Sequence, residues 1–337
     1  MIKLNKEDGI YYALIIIFLG ATLYLLAPAL FKQGSTPSNP VIVNGLNSTP
    51  VNLTILSSSS CKILCQTIEI EASLKSIFGQ VNVRRLDVNS TEGRAIADQH
   101  NLTIVPAYLL DSSVQRSPAF SRFSNFLWRS GDSFILASLD TQSGFLFRNE
   151  PSATPSLVLF GTSFDINSIN TQNKTFSVLS RFNNSVNFSM HYAVHSNGTY
   201  LTSPNGHVEL IEDALQLCAM RQNSPNIWNA ISCRSSEIAR CTTNSSDAAF
   251  CAQFWKTCIG GWGLNTDDVE ACVRTENLTI QIEEAKITQD NEINSVPTTI
   301  VGNQYRFVGQ KTELGLFGLI CGVYPDLPAC TITVRNG

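Results

Sequence analysis

One order of elements occurs twice along this chain. A strand, a helix, a second strand and a strand entered through a Val-Pro dipeptide follow one another around Val105-Pro106 and again around Val296-Pro297. Apolar residues alternate in the strand segments and recur at helical spacing between them. Two units of this kind predict an α/β fold with two domains in tandem, and 337 residues are enough for both.

The first unit is predicted to span residues 51–150, with a helix over 66–78 and a closing hairpin made of 134–139 and 144–147. The second unit is predicted to span 151–337, with a helix over 170–182. Residues 206–275 interrupt it with mixed helical patterning and six of the ten cysteines. We therefore expect a disulfide-rich helical insertion there, followed by a separate helix over 278–290.

The amino-terminal segment carries an uncharged run of 23 residues, from Gly9 to Phe31. Such a run can cross a hydrocarbon layer of about 30 Å. Residues 1–32 therefore predict a short cytoplasmic head and a single-pass transmembrane helix; a signal peptide cleaved after 27–29 (Ala-Pro-Ala) is the alternative. The Ser- and Pro-rich residues 33–50 indicate a linker. The bulk of the chain is then expected outside the cytoplasm, in an extracellular, periplasm-like or lumenal space.

Two other features agree with export. The cysteine count is even, and all ten follow the apolar run; thiols pair in oxidising compartments. The chain also holds ten Asn-X-Ser/Thr sequons, which predict a glycoprotein. They lie at Asn47, Asn52, Asn89, Asn101, Asn173, Asn183, Asn187, Asn197, Asn244 and Asn277. A net charge of −4 argues against nucleic acid as a partner.

Eight of the cysteines are predicted to form structural disulfides. They are Cys218, Cys233, Cys241, Cys251, Cys258, Cys272, Cys321 and Cys330. Their wide spacing lacks the tight Cys-X-X-Cys of a zinc site, and no phosphate-binding loop is present, so neither metal nor cofactor is expected. The six in the insertion allow fifteen connectivities. Cys321 with Cys330, nine residues apart, is the favoured single pair.

The remaining pair, Cys61 and Cys65, stands between the first strand and the first predicted helix. A thiol at a helix N-terminus is stabilised as thiolate, the species that attacks disulfides. Cys61 is therefore the candidate nucleophile and Cys65 the resolving thiol. The alternative is a permanent disulfide that fixes the start of the helix.

This order of elements, with paired cysteines before a helix and a later Val-Pro strand, resembles the thioredoxin superfamily over about 51–323. The resemblance implies two thioredoxin-like domains in tandem. It also implies cis peptide bonds at Pro106 and Pro297, and a place for Pro106 beside the cysteines, where the backbone of its neighbour pairs with substrate. An edge-strand proline is the alternative. The spacing Cys-X-X-X-Cys departs from the family's usual Cys-X-X-Cys.

The second unit, with its helical insertion, is similar to DsbA-type and lysosomal thiol-reductase-type relatives. Asp165 and Ser168 stand where that family carries its cysteine pair, so this unit is expected to be redox-silent.

The resemblance implies a membrane-anchored thiol–disulfide oxidoreductase or isomerase acting on cysteines of exported proteins, with a redox partner at the membrane. A non-catalytic binding or scaffold protein with structural disulfides only is the first alternative. A copper chaperone of the Sco type is the second, because thiolates and imidazole suit copper. Its candidate histidines are His100, His191, His195 and His207.

Overall fold

The computed structural model describes residues 50–61, 65–136, 143–238 and 248–332. In this part of the chain a mixed α/β architecture is built around two main sheets. The first half contains β1 (Val51–Ser57), α1 (Ile68–Phe78), β2 (Val81–Asp87), α2 (Thr91–Gln99), β3 (Ile104–Val105), β4 (Ala107–Leu110), α3 (Phe120–Phe123), β5 (Leu127–Ser130), β6 (Ser133–Leu136) and β7 (Gly144–Leu146). The second half contains β8 (Ser156–Gly161), α4 (Ile166–Ser180), β9 (Asn187–Tyr192), β10 (His195–Ser196), β11 (Leu201–Thr202), α5 (His207–Met220), α6 (Ile227–Ser236), α7 (Ala248–Gly261), α8 (Thr266–Asp290), β12 (Thr298–Val301), β13 (Tyr305–Val308), α9 (Glu313–Val323) and α10 (Pro328–Ile332).

The two sheets share one strand plan. In the first, the order is β2-β1-β4-β6-β5, with β1 parallel to β2 and antiparallel to β4. In the second, β9-β8-β12-β13 repeats that plan, with β8 parallel to β9 and antiparallel to β12. The strand that enters through Val-Pro lies beside the first strand of the unit in both sheets. The order of these four strands is therefore the same in both sheets.

The sheets are joined by the chain around Pro106. β3 precedes this proline and belongs to the second sheet, through β7, whereas β4 follows it and belongs to the first. The second sheet thus has the order β3-β7-β13-β12-β8-β9. Residues 104–110 consequently supply a strand to each sheet.

The hairpin predicted to close the first unit is wrong. β6 pairs with β5 across a turn at Gly131, whose φ of 58° suits glycine. β7 pairs instead with β3 and β13 of the second sheet. Gly144 allows this approach, because a Cβ at that position would lie 2.6 Å from the Ile104 side chain.

The helices differ from the sequence prediction mainly at their starts. α4 begins at Ile166, four residues before the predicted 170, because Asp165 caps its first turn by accepting a hydrogen bond from the Ser168 N–H. The last helix of the insertion does not end near 275. Asn265 caps α8, which continues to Asp290 because no Gly or Pro interrupts it.

Within the described residues, no helix is long and apolar enough to span a membrane. The predicted anchor and linker, residues 1–49, lie outside the described part. So do the sequons Asn47 and Asn244, Cys241 and the side chain of Cys251.

Candidate functional site

A short loop at the carboxyl end of β1 carries Cys61. The Cys61 N–H donates to the Ser58 carbonyl over 3.1 Å, which closes a turn. The Ser59 N–H donates to a carboxylate oxygen of Asp87 over 2.9 Å, which ties the loop to the end of β2. Because β1 is a central strand, this loop lies at an edge of the sheet where side chains from several elements meet.

Cys61 and Cys65 form a disulfide with a Cα–Cα separation of 5.7 Å. Cys61 is only 7% exposed and belongs to the core cluster that includes Phe145 and Phe147, whereas Cys65 is partly buried at its margin. α1 begins at Ile68, after residues 65–67, which are not helical, so Cys61 does not lie at the N-terminus of this helix, where the sequence predicted it. The dipole of α1 therefore does not act directly on the Cys61 sulfur, since the effect falls off within the first turn.

The segment before Pro106 forms the other wall of this site. The Val105–Pro106 and Val296–Pro297 peptide bonds are both cis, as the resemblance implied. The Cys65 Sγ lies 3.9 Å from the carbonyl oxygen of Val105. The structure thus brings together Cys61, Cys65 and the Pro106 segment.

Tyr305 of β13 reaches the same site from the second sheet. Its hydroxyl donates to the Ser60 carbonyl over 3.0 Å, and its ring meets Phe145 edge-on at 5.2 Å. Sequence reasoning missed Tyr305 and Phe145, because their approach depends on β7 joining the second sheet. No local pattern in the sequence indicates that pairing.

The histidines do not join the cysteines in a metal site. His100 is 4% exposed, and its Nδ1 lies 2.9 Å from the Ser130 hydroxyl. His191 contacts Glu284 in the second unit. Among the described residues, no three His, Cys, Asp or Glu side chains converge as metal ligands do. The geometry therefore lends the copper-chaperone alternative no support.

The burial of His100 can be tested through the pH dependence of the protein's stability. Burial lowers the pKa of this imidazole below its usual 6.5. Its contribution to stability is present above the unfolded-state pKa and is lost as pH falls from there through the lower folded-state pKa, because over that interval the unfolded chain binds the proton more readily. Wild type should lose stability between pH 7.5 and 5.5 by up to about 1.4 kcal/mol per pH unit more than His100→Gln. Urea unfolding at both pH values measures this, and equal losses in the two proteins would contradict it.

The corresponding position of the second unit holds a helix cap. The carboxylate of Asp165 accepts from the Ser168 N–H at 2.7 Å and from its hydroxyl at 2.8 Å. Neither side chain can exchange a disulfide.

Acidic side chains of α5 hold the loop that follows β8. Glu209 accepts from the Phe164 N–H over 2.8 Å, and Asp213 accepts from the Ser163 N–H over 3.3 Å. Both carboxyls are 0% exposed. Burial raises the pKa of Asp213 well above its usual range, and the neighbouring Glu209 raises it further. Glu209 and Asp213 are four residues apart and so share one face of α5, a pattern that is also typical of a solvent-exposed helix face. The sequence therefore did not reveal that these carboxyls are buried.

Among the described residues, three disulfides lie apart from the site. Cys218 pairs with Cys272, which ties α5 to α8, and Cys233 pairs with Cys258, which ties α6 to α7. Cys321 pairs with Cys330, the pair that the sequence favoured. All three join or flank helices, and two lie in the insertion.

Comparison with known proteins gives structural likeness only. No protein-family model and no curated protein matches the chain. The thiol-disulfide exchange protein alpha-DsbA2 from Wolbachia pipientis has a TM-score of 0.38 and 12% identity, covering 60% of this chain and 93% of its own. Reduced DsbA1 from Neisseria meningitidis has a TM-score of 0.40 and 15% identity, and the match covers 56% of this chain and 95% of its own. The oxidoreductase DsbA from Xylella fastidiosa has a TM-score of 0.40 and 12% identity, and the match covers 55% of this chain and 96% of its own. Each match spans nearly all of the solved chain and little more than half of this one.

Proposed function

We propose that this chain is an extracytoplasmic thiol–disulfide exchange protein with two thioredoxin-like domains, held at a membrane by its amino-terminal segment. One observation carries the proposal. A disulfide between two residues four apart in sequence follows a central strand, and Cys65 is a partly exposed residue whose sulfur lies 3.9 Å from the Val105 carbonyl oxygen. The second unit, with Asp165 and Ser168 in the corresponding place, serves as a silent partner.

The greater exposure of Cys65 than of Cys61 supports roles opposite to those predicted from the sequence, where Cys61 was the nucleophile and Cys65 the resolving thiol. An external thiolate attacks the Sγ of Cys65, because Cys61 is buried. The S–S bond breaks, the Cys61 sulfur leaves and takes up a proton, and a mixed disulfide remains on Cys65. A second external thiolate then attacks the external sulfur of that mixed disulfide and releases the Cys65 thiol. In total, two external thiols are oxidised to one disulfide, and the Cys61–Cys65 disulfide is reduced to two thiols.

This function predicts selective reduction under native conditions. In glutathione buffers, the Cys61–Cys65 disulfide should equilibrate at a reduction potential above about −300 mV. The Cys218–Cys272 disulfide, whose cysteines are 54 residues apart in sequence, should stay oxidised and serves as the internal control. Alkylation followed by peptide mapping measures both. Cys65→Ser should abolish thiol–disulfide exchange with glutathione. A Cys61–Cys65 bond that opens only when the whole chain unfolds would contradict the proposal.

A scaffold function is the second candidate, and the burial of Cys61 among Phe145 and Phe147 favours it. A disulfide enclosed in this way fixes the loop after β1 without turning over. The two candidates differ in the measurement above, since a scaffold disulfide stays oxidised in native glutathione buffer.

A further inference from the structure

One segment of the chain covers the candidate redox site. We use the name strap for residues 144–148, which comprise β7 and the two residues after it. In the strap, Phe145 pairs with Val105 and Leu146 pairs with Ile104 in an antiparallel ladder. The strap therefore occupies the strand edge of Val105, the residue whose carbonyl lies 3.9 Å from the Cys65 sulfur.

The strap is anchored along its length. Phe145 and Phe147 are 3% and 8% exposed and share the cluster of Cys61. Arg148 donates from Nε to the Leu102 carbonyl over 2.9 Å and from Nη2 to Asp98 over 2.7 Å. Its guanidinium also lies 5.2 Å from the Phe147 ring. These contacts hold the strap in place against the site.

The occupied edge limits what can reach Cys65. A cysteine within a polypeptide brings flanking backbone, which needs hydrogen-bonding partners or room beside the sulfur it attacks. Beside Cys65 the backbone of Val105 would be such a partner, and β7 already holds it. A small thiol such as glutathione brings at most one residue on each side of its sulfur, and needs only access to the partly exposed Cys65. The strap therefore determines the difference in access to Cys65 between small thiols and thiols within polypeptides.

We propose that the strap restricts exchange at Cys61–Cys65 to low-molecular-weight thiols, and that thiols within polypeptides react only after the strap has lifted. This inference rests on the proposed function and names its substrate class. The reaction is the balanced one given above: two small thiols become one small disulfide as the Cys61–Cys65 disulfide becomes two thiols.

The test compares two probes, reduced glutathione and a linear twelve-residue peptide with one central cysteine. The rate of opening of Cys61–Cys65 is measured by acid quenching, alkylation and mass spectrometry, and is divided by the thiolate concentration of each probe. In wild type the peptide should react at no more than about a tenth of the glutathione rate, because strap opening precedes its reaction.

Two variants loosen the strap by different means. Gly144→Val adds a side chain where even a Cβ would lie 2.6 Å from Ile104. Arg148→Gln removes the anchors to Leu102 and Asp98. Each should raise the peptide rate about tenfold or more, which for Arg148→Gln is the effect of losing one or two hydrogen bonds, while the glutathione rate changes less than about twofold. The control is Arg94→Gln, since Arg94 also lies 5.2 Å from the Phe147 ring but does not anchor the strap backbone.

The outcomes are distinct. Equal rates for peptide and glutathione in wild type would overturn the strap proposal, as would an Arg148→Gln rate ratio equal to that of wild type. If Gly144→Val does not fold, Arg148→Gln and amide hydrogen exchange at Val105 and Phe145 decide the question. Failure of glutathione itself to open the disulfide below global unfolding would instead refute the proposed function.

Discussion

Replacement of Arg234 with methionine is expected to lower the free energy of unfolding by about 3–5 kcal/mol. Arg234 and Glu212 form an ion pair whose side chains are 6% and 5% exposed. Nε and Nη2 of Arg234 both donate to one Glu212 oxygen, at 3.1 and 2.7 Å, and the other oxygen accepts from Gln216 at 3.0 Å. Loss of the guanidinium leaves a carboxylate enclosed without its counter-charge, beside the buried Asp213. Urea unfolding of the oxidised protein at pH 7 measures the change.

The matched control is Arg221→Met. Arg221 pairs with Glu276, but both side chains are nearly half exposed, at 45% and 49%. Exposed pairs are worth about 0–1 kcal/mol, so this variant should stay within that range. A double variant, Arg234→Met with Glu212→Leu, should regain much of the loss because neither position of the pair then holds an unpaired buried charge. Equal effects of the two arginine substitutions would show that the Arg234–Glu212 pair is not the buried contact described.

The repeated architecture could be predicted because its signals are local. Period-two apolar patterns identified the strands, and the Val-Pro dipeptides marked the strand that enters each sheet beside the first one. Helix starts were less accurate, since caps such as Asp165 and Asn265 act through one side chain rather than a pattern. The sheet that β7 joins was not predicted, because a strand of three residues is too short to show a periodicity that favours one sheet over the other.

The candidate site likewise has one feature that could be predicted from local sequence and one that could not. The Cys61–Cys65 pair follows from spacing alone, since two cysteines four residues apart can easily close a bond. The burial of Cys61 does not, because Phe145 and Tyr305 reach it from segments distant in sequence. Tyr305 lies on β13 of the second sheet, whereas Ser60 follows β1 of the first, so their contact joins segments that are 245 residues apart in sequence. Accessibility of a thiol is thus a tertiary property, whereas the prediction that Cys61 is a nucleophile at a helix N-terminus depended on local sequence only.

Removal of the Cys218–Cys272 disulfide should cost more than removal of Cys321–Cys330. The first closes a loop with a sequence separation of 54 and the second one with a separation of 9. On the chain-entropy model these correspond to about 4 and about 2.6 kcal/mol, because a longer loop gains more freedom in the unfolded chain. Thermal and urea unfolding of the variants Cys218→Ala/Cys272→Ala and Cys321→Ala/Cys330→Ala measure the difference, and a larger loss in the second would contradict the model.

The location of Cys218–Cys272 adds to this effect. Cys218 is 2% exposed in the insertion core, and the bond fixes the carboxyl end of α5 to the first turns of α8. α5 presents Glu209 and Asp213 to the loop after β8, so its position determines whether those carboxyls keep their backbone partners. Loss of the bond should therefore also speed amide hydrogen exchange at Ser163 and Phe164. Loss of Cys321–Cys330, which ties α9 to α10, should leave those two amides unchanged, because neither helix contributes a hydrogen bond to them.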